Sequence, residues 1–128
     1  MPSVRSEVDV FVGTYNVNAK VVDEYDADAV SSMRAWLDWG KLGGQNQPAL
    51  YVIGMQEVVA LKATEMLSVS PENLHRWQSL CLHVLNTNTV TAAVSGGVPV
   101  GYSCVSSQQL VGIVLMVFAR ADAAPYIR

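Results

Sequence analysis

The sequence is poor in charge, and in basic residues above all. Charged residues make up 15% of its 128 residues while apolar residues make up 51%, and the formal net charge is −3. The eight lysine and arginine residues are scattered along the whole chain, so the sequence offers no basic cluster for nucleic acid or an anionic membrane. We therefore expect no nucleic-acid partner and at most peripheral contact with membranes.

Cysteine and long apolar runs are also scarce. Cys81 and Cys104 form no CxxC pair and have no histidine at ligand spacing, which argues against a zinc or redox site and predicts two buried free thiols. The longest apolar run, residues 110–119, is too short to cross a bilayer, and the first residues lack the apolar core of a signal peptide. These absences lead us to expect a soluble, cytoplasmic protein of one domain.

Strand patterns and helix patterns alternate along the chain, which is typical of an α/β fold. Apolar strands are predicted over residues 8–18, 51–55, 102–106 and 110–119. Gln108 and Gln109 are expected near the turn between the last two strands. The sequence therefore predicts a sheet whose strands are separated by helices and loops.

Three helices are predicted between these strands. They cover residues 28–39, residues 61–66 and a segment capped by Ser70 with Pro71 in its first position. In the third helix, apolar residues recur at helical spacing. Its predicted buried face consists of Leu74, Trp77, Cys81, Val84 and Leu85.

The first two strands both end on side chains that suit a cation. The first strand delivers Asn16 to its end, and the second stops on Gln56 and Glu57. Because sequential strands in α/β units are usually neighbours, we expect Asn16 and Glu57 to form a pair of oxygen donors. Such a pair suits Mg²⁺, which takes one or two protein ligands and completes its shell with water and phosphate oxygens.

Simpler roles are open to both residues. Asn16 is of the type that caps a turn after a strand, and Glu57 is of the type found at a solvated strand end or a helix N-terminus. His75 and His83 are eight residues apart on one predicted helix, which is not the spacing of a helical metal pair. The acidic residues 23–28 do not fit a calcium loop, because apolar residues fall at its ligand positions, so we expect a solvated loop.

Three strings occur in a fixed order: VGTYNVN at residues 12–18, YVIGMQEVV at 51–59 and SQQLVGI at 107–113. Together they resemble the inositol polyphosphate 5-phosphatase family of the endonuclease, exonuclease and phosphatase superfamily. The resemblance implies a Mg²⁺-dependent phosphoric monoester hydrolase that acts on the 5-phosphate of phosphoinositides or inositol polyphosphates. It implies metal-binding and catalytic roles for Asn16 and Glu57.

The resemblance also implies details around this pair. Gln56 would orient Glu57 or a metal-bound water. Ala19 stands where the family usually has glycine, and Lys62 stands where it commonly has asparagine. These two differences concern the loops that follow the strands and leave Asn16 and Glu57 in place.

The resemblance covers only the first half of the family's catalytic domain. The family's later motifs, which carry the water-activating Asp, the substrate-binding Arg and the catalytic His, do not occur in the 128 residues. We expect residues 1–128 to form the N-terminal half of such a domain, which is half of a four-layer α/β sandwich: a mixed β-sheet with helices on one face. The missing C-terminal half would be its partner, and we expect the isolated chain to be inactive.

The run at residues 110–119 supports the same expectation. A strand covered on both faces is apolar almost throughout, yet the predicted helices can cover only one face of the sheet. The other face should therefore lie open in this chain.

Two other classes of function remain open. One is a noncatalytic regulatory or interaction fragment of such an enzyme, and the other is a nuclease of the same superfamily.

Overall fold

The structure is a computed structural model that describes residues 7–44, 47–59, 71–87 and 101–127. These residues form four strands and two α-helices, with short 3₁₀ helices at Trp39–Leu42 and Ala124–Tyr126. In chain order the main elements are β1 (Val10–Asn16), α1 (Ala27–Trp36), β2 (Leu50–Gln56), α2 (Glu72–Thr87), β3 (Tyr102–Leu110) and β4 (Ile113–Arg120).

The four strands form one mixed sheet in the order β1-β2-β4-β3. Strand β1 runs parallel to β2, and β4 is antiparallel to both of its neighbours. The carboxyl ends of β1 and β2 therefore lie at the same edge of the sheet, together with the β3–β4 turn. The predicted fold class, a mixed sheet with helices on one face, is confirmed.

Both helices pack on one face of this sheet, which we call the helix face. Because successive strand residues point to opposite faces, alternate residues of the strands enter the core. The strands contribute Phe11, Tyr51, Ile53, Met55, Val114, Met116 and Phe118. The helices contribute Ala29, Met33, Leu74, Trp77, Leu80, Cys81, Val84 and Leu85. All five residues predicted for the buried face of α2 are buried.

Gly13 makes room for α1 on the helix face. A Cβ atom at Gly13 would lie 2.9 Å from the Trp36 ring, so a larger residue would push the indole outward. The Trp36 ring packs against Phe11 on one side and Tyr15 on the other, with ring centroids 5.9 Å and 5.4 Å away. This aromatic cluster fixes α1 over the first strand.

The opposite side of the sheet is apolar and exposed, and we call it the open face. The register places Val12, Val52 and Val117 side by side across three strands. Val12 is 71% exposed, and Leu115 on the same face is 49% exposed. Among the described residues neither α-helix covers this face, as the sequence predicts.

The ends of the helices differ from the predicted ones. Helix α1 begins at Ala27 and ends at Trp36, because the Asp26 side chain accepts hydrogen bonds from the backbone N–H groups of Asp28 and Ala29 and caps it one residue early. Helix α2 begins at Glu72, and Pro71 accepts its first backbone hydrogen bond. The predicted helix at 61–66 and the Ser70 cap lie outside the described residues.

The predicted position of the last turn is wrong. Gln108 and Gln109 belong to β3, which continues to Leu110, and the turn is formed by Val111 and Gly112. The polar residues misled the prediction because β3 is an edge strand, where polar side chains face solvent without cost. Val111 has a left-handed φ of 53°, which a β-branched residue rarely adopts. A valine at this position therefore did not indicate a turn.

The prediction for the cysteines is half right. Both are free, and Cys81 is fully buried, but Cys104 on the edge strand β3 is only half-buried. Burial raises the pKa of the Cys81 thiol to about 12, so this group stays protonated and unreactive at neutral pH. None of the helices in the described part of the chain is long and apolar enough to cross a membrane.

Candidate functional site

Asn16 and Glu57 meet at the edge of the sheet where β1 and β2 end. The parallel register pairs Asn16 with Gln56, which places Glu57 one residue beyond the strand. The Asn16 side-chain Nδ2 donates a hydrogen bond of 3.1 Å to Glu57 Oε1. The structure therefore brings together the two side chains that the sequence singles out, although they are separated by 41 residues.

The backbone after each strand turns through left-handed conformations to make this contact. Glu57 has a φ of 55°, and Asn18 and Ala19 have φ values of 49° and 57°. Conformations of this kind cost about 1–3 kcal/mol each and persist only where the surrounding structure holds them. Here the two segments hold each other, because the Ala19 N–H donates to the Glu57 carbonyl and the Val17 N–H donates to the Gln56 carbonyl, at 2.6 Å and 3.0 Å.

The Asn16 amide also caps the turn that follows β1. Its Oδ1 accepts a hydrogen bond of 2.9 Å from the backbone N–H of Asn18. The simpler role considered for Asn16 is therefore real, and it is compatible with a second role. An amide oxygen has two lone pairs, so the capped Oδ1 keeps one for another partner.

The chemistry of the pair fits a hydrated hard cation. Asn16 is exposed and Glu57 is half-buried, and both offer oxygen atoms of the kind that Mg²⁺ prefers. Within residues 7–44, 47–59, 71–87 and 101–127, no group of three or more His, Cys, Asp or Glu side chains is placed to hold a metal ion. A site of two protein oxygens leaves the remaining positions to water and phosphate, and the metal role of the pair stays a prediction.

Two residues of α2, whose contacts with the site the sequence analysis did not predict, support the site from behind. Asn73 Nδ2 donates to the carbonyl oxygens of Val58 and Lys20, at 2.8 Å and 3.2 Å. Trp77 Nε1 donates to the same Lys20 carbonyl at 3.2 Å. The sequence near Asn73 offers one indication of its role. Asn73 is an amide residue at the start of the apolar helix face, next to Leu74 and one turn before Trp77.

The remaining candidate residues lie outside this site. The side chains of Asp23 and Asp26 accept hydrogen bonds from nearby backbone N–H groups, so they cap a turn and a helix as expected for a solvated loop. His75 is exposed, and His83 is half-buried with its ring 6.4 Å from the Tyr25 ring. Neither histidine contacts the Asn16–Glu57 pair.

Comparison with known proteins identifies the family. The family model described as Endonuclease/Exonuclease/phosphatase family 2 matches residues 13–128. The chain is 29% identical, over 98% of its length, to Inositol-1,4,5-trisphosphate 5-phosphatase 1 of Schizosaccharomyces pombe, and it spans 10% of that protein. It is 31% identical, over 93% of its length, to Type IV inositol polyphosphate 5-phosphatase 9 of Arabidopsis thaliana, of which it spans 28%.

A solved structure shows the same relationship. The chain matches the inositol polyphosphate 5-phosphatase domain of SpSynaptojanin, solved in complex with inositol (1,4)-bisphosphate and a calcium ion, with a TM-score of 0.64 and 27% identity. The match covers 92% of this chain and 29% of that one. The chain thus spans less than a third of the length of each of these relatives. From the matched model and from these relatives, which are inositol polyphosphate 5-phosphatases, we conclude that the chain belongs to the endonuclease/exonuclease/phosphatase family 2.

Proposed function

We propose that this chain supplies the Mg²⁺-binding part of a phosphomonoesterase that removes the 5-phosphate of inositol polyphosphates or phosphoinositides. The observation that carries the proposal is the contact between Asn16 and Glu57 at the carboxyl edge of β1 and β2. The relatives named as 5-phosphatases support the substrate class. The inositol (1,4)-bisphosphate and calcium ion in the solved relative support a site that takes both an inositol phosphate and a divalent cation.

Each residue of the pair has a distinct task in this proposal. The Glu57 carboxylate provides a negatively charged oxygen ligand, and Asn16 Oδ1 provides a neutral one. The Asn16 N–H donates to Glu57 Oε1 and so restrains the carboxylate before the ion arrives. When bound, Mg²⁺ supplies polarisation of the scissile phosphate and shields its negative charge. Gln56, half-buried at the end of β2, would orient Glu57 or a water molecule beside it.

We propose further that residues 1–128 act as the N-terminal half of a complete catalytic domain. The matched segment covers only 29% of the chain of the solved relative, which is therefore more than three times as long as the segment. The open face supports this proposal, because an apolar sheet surface of that kind is stabilised when another layer covers it. The water-activating base, the substrate-binding groups and the proton donor would come from the second half, in a protein that works in the cytoplasm.

The test is a hybrid domain in which residues 13–128 replace the matching segment of the solved SpSynaptojanin domain. We expect Mg²⁺-dependent release of phosphate from inositol 1,4,5-trisphosphate or from phosphatidylinositol 4,5-bisphosphate in vesicles. The Glu57→Gln variant should lose about 100-fold or more in rate, because loss of a metal ligand exceeds the effect of losing an outer partner. Glu24→Gln, which removes a carboxylate from the loop before α1, serves as the matched control and should retain the rate.

Three results would contradict the proposal. Cleavage of an abasic DNA duplex in preference to both phosphate esters would make the chain part of a nuclease. A folded hybrid without turnover on any substrate would favour a noncatalytic fragment. Full activity of Glu57→Gln would show that the metal site has been assigned to the wrong residue. The isolated 128-residue chain should release no phosphate and should bind Mg²⁺ no better than about millimolar, because it offers only two ligands.

A further inference from the structure

We propose that Asn73 is a positioning residue that holds the two loops carrying Asn16 and Glu57 in the geometry that binds the metal ion. This inference rests on the proposed function of that pair. Asn73 lies in the first turn of α2 and contacts neither Asn16 nor Glu57 by any hydrogen bond of its own. Its Nδ2 group instead donates to two backbone carbonyls, one from each loop.

The two carbonyls are placed where they control the pair. Val58 directly follows Glu57, and its carbonyl receives the shorter bond, 2.8 Å. Lys20 closes the turn after β1, since its N–H donates to the Val17 carbonyl at 2.9 Å. Because an amide nitrogen carries two hydrogen atoms, a single side chain fixes the distance between the two loops.

The left-handed residues lie between these anchor points and the strands. Asn18, Ala19 and Glu57 all have positive φ angles, and their relaxation toward ordinary conformations would swing the Glu57 side chain away from Asn16. The bond from the Ala19 N–H to the Glu57 carbonyl opposes this motion. Asn73 opposes it on the side of α2.

Of the two polar groups of the Asn73 amide, only the Nδ2 donor makes hydrogen bonds among the described residues. Its Oδ1 is buried and has no hydrogen-bond partner among the described residues, a condition that destabilises the folded chain. Trp77, one turn further along α2, adds a second donor to the Lys20 carbonyl. An amide at residue 73 therefore adds little net stability, and what it provides is the location of the loops.

The test compares Asn73→Leu with Asn86→Leu in the 128-residue chain. Asn86 is a matched control, because it lies on the same helix and also makes two side-chain hydrogen bonds to backbone, with the N–H and carbonyl of Tyr102 at 2.7 Å and 3.1 Å. Its contacts are at the start of β3, at the opposite edge of the sheet from Asn16 and Glu57. Mn²⁺ replaces Mg²⁺ as the probe, and its binding is followed by paramagnetic broadening of the Asn16 side-chain amide signals.

We expect Asn73→Leu to weaken Mn²⁺ binding about tenfold, in the range known for residues that orient metal ligands. Asn86→Leu should change the Mn²⁺ affinity less than about twofold. A second readout needs no metal: amide hydrogen exchange at Ala19 should accelerate about tenfold in Asn73→Leu and not in Asn86→Leu, while exchange at Tyr102 should show the opposite pattern. If Asn73→Leu does not fold, Trp77→Phe replaces it, with the same selective effect expected at a smaller size.

The outcomes separate this inference from the proposed function. If the wild-type chain binds Mn²⁺, Glu57→Gln abolishes the binding and Asn73→Leu binds as tightly as Asn86→Leu, the metal site stands and the positioning role is overturned. If the wild-type chain shows no broadening at Asn16, the proposed metal site fails, and exchange at Ala19 alone decides the positioning role. Equal acceleration at Ala19 in both variants would overturn it.

Discussion

At the scale of single residues, Ala19 shows how the loop after β1 accommodates an alanine. The resembled family usually has glycine at this position. Its φ of 57° lies in the left-handed region, which costs an L-residue about 1–2 kcal/mol. The conformation is nevertheless retained, because the Ala19 N–H donates to the Glu57 carbonyl at 2.6 Å. The side chain therefore adds strain to the loop, and the contact between Asn16 and Glu57 is present in spite of it.

We expect Ala19→Gly to increase the free energy of unfolding by about 0.5–1 kcal/mol. The relief of left-handed strain exceeds the extra conformational entropy that glycine gives the unfolded chain. Ala35→Gly in α1 is the control and should lower stability by up to about 1 kcal/mol, because glycine is unfavourable in a helix. Urea denaturation of both variants measures the two changes, and a loss of stability in Ala19→Gly would show that residue 19 is not left-handed in solution.

From the sequence, only the part of the candidate site that follows from the pairing of neighbouring strands could be predicted. Asn16 and Glu57 end two sequential strands, and the pairing of those strands brings them together. Asn73 was beyond prediction, because its partners are carbonyls of two distant loops. Backbone carbonyls carry no sequence signal, and the left-handed turns that aim them occur at residues other than glycine.

At the scale of elements, β4 shows that a continuous apolar run predicts a strand but does not reveal which part of the protein covers each of its faces. Residues 110–119 are apolar almost throughout, yet those that belong to β4, residues 113–119, alternate between the helix face and the open face. Met116 is fully buried, whereas Leu115 is 49% exposed. The sequence predicts the strand and the doubly covered environment, and the described part of the chain provides only one of the two covers.

This alternation predicts unequal effects of truncation along β4. Met116→Ala should lower the free energy of unfolding by about 2–5 kcal/mol, because it leaves a cavity between the sheet and the helices. Leu115→Ala should cost less than about 1 kcal/mol in the isolated chain, because its side chain lies half in solvent. Chemical denaturation of the two variants measures the difference, and equal losses would mean that the open face is already packed.

At the scale of the whole molecule, the α-helices of the described residues cover only one face of the sheet. Val12, Val52, Leu115 and Val117 form a contiguous apolar surface on the open face. Exposed apolar surfaces of this kind in soluble proteins mark interfaces or sites of aggregation. The half-domain proposal therefore predicts that the cooperative folding unit extends beyond the matched segment.

We expect the 128-residue chain to bind hydrophobic dyes and to self-associate. A double variant, Val12→Thr with Leu115→Thr, should reduce dye fluorescence by about twofold or more, since it makes the centre of the open face polar. Val21→Thr is the matched control, because Val21 is 65% exposed but lies outside the sheet. Sedimentation velocity and dye titration provide the measurements.

The C-terminal half of the solved relative's domain, added in trans, should suppress both the dye binding and the self-association. A monomer at high concentration with a sharp cooperative melt and no dye binding would contradict the half-domain proposal. The second face would then be closed by residues outside the described ranges.

The strand order also determines when the sheet can form during synthesis. Strand β2 lies between β1 and β4, so the central pair of the sheet joins the second of the described strands to the fourth. On the ribosome, β1 and β2 can pair early, but they must wait with an unfilled hydrogen-bonding edge until Ile113–Arg120 has emerged. Contacts between such distant segments slow folding, and an unpaired edge invites pairing with other chains. The nascent chain therefore exposes an unpaired edge of β2 until β4 has left the exit tunnel.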